Sequence, residues 1–163
     1  MLKFIYTVFV GILIAVFIGL GIDAFYPGPT MPEYPESKFY YEPQKENPSD
    51  EELALMEEEQ NQYTAMFETY SEQLKTYNRD VSIIALIGAI IVLTASILLE
   101  KQLKLIADGL ILGGVLTLTY SIIRGFNAGD QMFRFVMVTI GLAIAILLGY
   151  LKFLKPEKQT LDS

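Results

Sequence analysis

Four stretches of this chain, residues 4–22, 83–99, 109–123 and 135–151, contain no charged residue and are rich in Ile, Leu, Val, Phe and Gly. A helix that crosses a bilayer takes about 20 predominantly apolar residues. Hydrocarbon offers no water to the backbone, so each stretch must satisfy its own N–H and C=O groups as a helix. The four blocks therefore predict an all-α integral membrane protein with four transmembrane helices. The third block is the shortest and reaches spanning length when Asp108 or Phe126 lies at the interface. The first is longer than the apolar core of a signal peptide and no A-x-A site follows "GLG", so it reads as a retained helix.

The flanking lysines set the orientation. Lys3 precedes the first block, Lys101 and Lys104 separate the second from the third, and Lys152, Lys155 and Lys158 follow the fourth. With four spans these groups fall on one side, which the positive-inside rule assigns to the cytoplasm. Arg124 and Arg134 in the opposite short loop weaken the bias. The expectation is a multi-pass protein of the plasma (inner) membrane with N and C termini cytoplasmic. Residues 27–80, with thirteen acidic and four basic side chains, then lie outside.

That outer stretch carries a second pattern. "PSDEE" is a helix start: Ser49 and Glu52 have capping-box spacing, and Asp50, Glu51 and Glu52 put negative charge where the helix dipole favours it. No Gly or Pro follows until Gly88, so one helix is expected from about residue 50 into the second span. Along it Leu53, Met56, Gln60, Tyr63, Phe67, Tyr70, Leu74, Tyr77, Val81 and Ile84 recur at alternating steps of three and four. A solvated helix has no use for such a seam, so it calls for a cover. Two covers are expected: another part of this chain, or a second chain. A disordered loop with chance periodicity is the third reading.

An internal cover is at hand in residues 26–48, which hold six of the seven prolines together with Tyr26, Tyr34, Phe39, Tyr40 and Tyr41. Pro27, Pro29, Pro32 and Pro35 favour polyproline II at about 3.1 Å per residue. An extended Pro/Tyr strand rising from the first span and lying against the long amphipathic helix resembles the proline–tyrosine hairpin of the pancreatic polypeptide hormones. The likeness concerns packing and implies no shared activity.

Small residues recur every fourth position within the spans: Gly11, Ala15 and Gly19 in the first; Gly109, Gly113, Thr117 and Ser121 in the third; Gly141, Ala145 and Gly149 in the fourth. Such rows let backbones approach closely, either within one bundle or between subunits. The first and fourth spans share the spacing G-x-x-x-A-x-x-x-G, so they are expected to pack together or each to face a partner. Asp108 and Asp130 are placed to cap the third and fourth spans. Asp23, Arg124, Asp130 and Arg134 share the outer boundary, where they are expected to pair.

No histidine or cysteine is present, which removes thiol and imidazole chemistry and zinc sites with nitrogen or sulfur ligands. A net charge of −7 argues against nucleic acid as partner. No phosphate loop, nucleophile elbow or metal-ligand spacing occurs, and no charge lies mid-span where ion and proton paths place one. Catalytic, metal and cofactor residues are therefore not expected. The chain divides into span one (1–25), an outer module (26–80, extended to 48 and helical from 49), spans two to four (81–151) and a cytoplasmic tail (152–163). The functional expectation is a non-enzymatic accessory, scaffolding or partner-binding membrane subunit. Its contact surface is the seam Leu53, Met56, Tyr63, Phe67, Tyr70, Leu74 and Tyr77, and its partners are lipid and a protein or a second copy. A small oligomeric transporter or channel component is the alternative.

Overall fold

The computed structural model describes residues 1–33 and 49–154. Four helices are long and apolar enough to cross a membrane: α1 (Leu2–Phe25), α2 (Asp50–Leu99), α3 (Lys104–Phe126) and α4 (Gln131–Gly149), the last running on into a π-helical turn, Tyr150–Leu154. No strand occurs among the described residues. Tyr34, Pro35, Phe39, Tyr40 and Tyr41 of the Pro/Tyr segment, and the tail from Lys155 onward, lie outside the described residues.

Helix α3 is the hub, packing on α2, α1 and α4, while α1 and α2 touch more lightly. It runs parallel to α1 and antiparallel to α2 and α4. Glycine lets it do so. A Cβ on Gly109 would sit 2.8 Å from Val10, and one on Gly113 would sit 2.8 Å from Ile14 and 3.1 Å from the Gly11 carbonyl. A Cβ on Gly11 would in turn overlap Leu112, and one on Gly114 would overlap Leu93 of α2. On the α4 side, Gly125 faces Met137 and Gly141 faces Ile122.

What these helices seal completely is small or polar. Val81, Ala85, Ala89, Ala107, Ser82, Ser96, Thr117 and Ser121 are sealed, whereas Phe4, Phe9, Phe17, Ile87, Ile91, Leu98, Phe135, Leu142 and Ile146 point outward. A water-soluble fold would distribute them the other way. The buried hydroxyls tie helices together: Ser82 Oγ donates to the Ser121 carbonyl at 2.8 Å, and Ser121 Oγ returns a bond to the Ser82 carbonyl at 2.7 Å. Ser96 donates to the Ala107 carbonyl at 2.8 Å. Outward-facing Thr94, Thr119 and Thr139 each bond the carbonyl four residues back, which satisfies these three donors without water.

The first half of α2 extends past the ends of the other helices. The expected single helix forms because Ser49 and Glu52 close both arms of the capping box, at 3.3 and 2.9 Å, and nothing interrupts the run to Leu99. From Asp50 to Thr76 this rod is about 40 Å long.

Two sequence expectations at helix ends separate here. Asp130 caps α4, accepting from the Met132 amide at 2.9 Å. Asp108 does not cap α3. That helix begins at Lys104, behind Leu103, because Ala107 is already packed against α2 and accepts from Ser96. Asp108 thus falls within the helix, where its carboxylate meets Lys152 instead.

Candidate functional site

The densest set of specific contacts lies at the base of the rod, where it enters the bundle. Tyr77, Asn78, Val81 and Ser82 are buried there, next to Ile22 from the end of α1. Tyr26 follows α1 directly and stacks on Tyr77, ring centroids 5.5 Å apart and planes 8° from parallel. Its hydroxyl donates to Asp80 at 2.9 Å. That bond is lost if the phenol ionises, and the negative charge of Asp80 adds to the effect, so the Tyr26 pKa is raised above 10.0.

From α3, Arg124 reaches into the same place. Its Nε donates to the Tyr120 hydroxyl at 3.0 Å, and its Nη1 donates to the Asn78 side-chain carbonyl at 2.9 Å. Its guanidinium lies 5.8 Å from the Tyr77 ring centroid and 5.4 Å from that of Tyr120, within cation–π range. Tyr26, Tyr77, Arg124 and Tyr120 therefore form a collar joining α1, α2 and α3. Its chemistry is fixation: it sets the direction in which the rod leaves the bundle. The expected charge pairing at this boundary is not what forms, since Arg124 takes neutral partners and Asp80 takes Tyr26 and Arg79.

Above the collar, residues 26–33 lie along α2. Pro27 and Pro29 border a groove with Glu72, Gln73, Thr76 and Tyr77. Thr30 and Pro32 border the next, with Ala65, Met66, Thr69, Tyr70 and Gln73. Six residues of extended chain at about 3.1 Å each would span about 12 helical residues at 1.5 Å, close to the separation of Met66 from Tyr77. Gly28 passes over the Tyr77 ring so closely that a Cβ would meet it at 3.2 Å.

The seam residues divide along the rod. Tyr77 is buried, Tyr63, Tyr70 and Leu74 are half-buried, and Leu53, Met56 and Phe67 are exposed. Phe67 stands between Tyr63 and Tyr70, ring centroids 6.2 and 6.1 Å away. At the lower end the seam leaves its heptad: Ile84 is 42% exposed and Ala85 is 0%. A straight helix drifts about 20° per heptad, which carries Ile84 outward and turns Ala85, Ala89, Leu93 and Ser96 inward.

The helix-packing candidates also divide. Gly11, Gly113, Thr117 and Gly141 are buried at α3 contacts, and Ala15 is half-buried. Ala145 is exposed, and a Cβ on Gly19 or Gly149 would meet nothing within 4 Å. Helices α1 and α4 do not touch among the described residues, because α3 stands between them.

At the opposite end of the bundle Lys152, in the π-helical turn, bonds Glu100 at 2.5 Å and Asp108 at 3.1 Å, pinning the end of α4 to α2 and α3. Sequence reading missed both this triad and the Arg124 collar. The one local signal for the collar was Tyr120 four residues before Arg124, on the same helix face. No family model, curated protein or solved structure matches the chain.

Proposed function

We propose that this protein is a non-enzymatic, multi-pass subunit of the plasma membrane, with both termini cytoplasmic, that binds a protein partner through its projecting helix. The observation that carries the reading is the exposed apolar row Leu53, Met56 and Phe67 on a rod otherwise dominated by acids and amides, continuous with a membrane-type bundle. A helix that offers apolar residues at such spacing is a partner for another helix or a groove. The collar supports the reading because a contact surface held at a fixed angle loses less conformational entropy on binding.

Membrane insertion is supported by the outward isoleucines and phenylalanines, and by hydroxyls that bond within or between helices. Orientation follows from Lys3, Lys101, Lys104 and Lys152 at one end. The seam then has two uses. Its lower part is covered within the chain, where Tyr26 to Pro32 lie along Ala65–Tyr77, and its upper part is the contact surface.

The test is affinity capture from native membranes, comparing the full chain with a form lacking residues 27–80 and with Leu53→Asp/Phe67→Asp. Partners should be lost from both altered forms. Partners retained by the shortened form would remove the proposal. The alternative, a small oligomeric transporter or channel component, draws on the open faces at Gly19, Ala145 and Gly149. Oligomeric state in detergent and solute flux in liposomes decide it.

A further inference from the structure

We infer that the α3–α4 turn, Asn127 to Asp130, carries a binding site for the phosphate of an anionic phospholipid, with the Arg134 guanidinium as its principal ligand. The site rests on the membrane reading above but not on the partner-binding one.

Arg134 lies in the first turn of α4. Its Nε is enclosed by protein and has no acceptor, the one buried side-chain nitrogen or oxygen of which this is true among the described residues. Nη1 and Nη2 are not enclosed, and Arg134 forms no ion pair among the described residues. The side chain is thus gripped at its base while the tip of the fork stays open. A guanidinium held this way is organised in advance to take two oxygens of one phosphate.

The surroundings carry the same sign. The Lys75 side chain lies against Gly129, its carbons 3.0–3.5 Å from where a Cβ would stand. On the other side of the turn, Arg124 is bonded to Asn78 and Tyr120, both neutral. The acid in the turn, Asp130, is engaged by the Met132 amide as the cap of α4. Lys75 therefore lies against the turn, and Arg124 and Arg134 precede and follow it along the chain, next to a helix N-terminus whose dipole adds positive potential. Immediately below, Met132 and Phe135 are exposed apolar side chains, which sets the fork at the depth of headgroups. An anion there pairs with the open end of the Arg134 fork, which the described residues leave without an ion pair.

The experiment uses the full chain purified in dodecylmaltoside. Phosphatidylglycerol, phosphatidylcholine or inorganic phosphate is titrated in, with bound lipid counted by native mass spectrometry and unfolding followed by circular dichroism. The wild type should retain phosphatidylglycerol over phosphatidylcholine. Arg134→Gln should weaken phosphatidylglycerol binding about tenfold, the loss expected for one charge-assisted bidentate contact. Lys3→Gln, at the far end of the bundle, should leave it unchanged.

The inference is overturned by equal binding of the two lipids to the wild type, or by unaltered binding to Arg134→Gln. It is overturned as a lipid site if inorganic phosphate gives the same saturable protection. Should Arg134→Gln not fold, Arg134→Lys keeps the charge and lacks the fork; about fivefold weaker binding is expected, and unaltered binding overturns the inference. Carbonate extraction of native membranes tests the underlying reading separately, since release of the protein would remove membrane insertion whatever the lipid titration gives.

Discussion

The smallest side chains do the most positional work in this bundle. Gly114 and Gly19 are both glycines in span-length helices, yet their surroundings differ. A Cβ on Gly114 overlaps Leu93, whereas one on Gly19 meets nothing within 4 Å. Gly114→Ala should force α2 and α3 apart and cost about 1–3 kcal/mol as an overpacked contact. Gly19→Ala should be neutral or gain up to about 1 kcal/mol from helix propensity. Reversible unfolding in mixed micelles separates the two. At the collar the relevant residue is Tyr26. Its folded pKa is raised above the unfolded value of 10.0, so its contribution is fully present below that value and lost as pH rises through the folded one. In a phenolate absorbance titration, Tyr26→Phe should remove one late-ionising tyrosine. An unchanged late phase would place the raised phenol elsewhere.

At the scale of elements, α2 is two helices in one. Its outer half is held by its cap and by the segment of residues 26–33, and its inner half by α3. Ser49→Ala removes one arm of the capping box and should cost the outer end about 1 kcal/mol. Amide exchange should rise over residues 50–56 and stay unchanged beyond Tyr77, because the collar isolates the two halves. Spread of the effect past Tyr77 would mean that the collar does not act as a boundary. The continuity of α2 and its cap were legible in the sequence, since both depend on local spacing. The collar was not, because it needs Arg124 and Asn78 to meet across 46 residues of chain.

At the scale of the whole molecule α3 holds the bundle together: α1 and α4 both lean on it and, among the described residues, not on each other. Helix α4 is tied at its far end by Lys152, which bridges Glu100 and Asp108. Lys152→Met leaves two partly exposed carboxylates facing each other, so the end of α4 should swing away from α2 and α3. Spin labels at Gln102 and Tyr150, both exposed, should show a broadened and lengthened distance distribution in double electron–electron resonance. An unaltered distribution would assign the position of α4 to its glycine packing alone.

By itself the sequence determined the number of span-length helices, the uninterrupted α2, its capped start, and the seam that the outer half displays. Each is a property of residues close along the chain, read through hydropathy, capping chemistry or helical period. The tertiary structure alone decided which small-residue rows meet, that Asp108 faces Lys152 rather than starting a helix, and that Arg124 rests among tyrosines. Those outcomes depend on which helix stands beside which. A four-residue spacing of glycines states that a close neighbour fits, but carries no address for it.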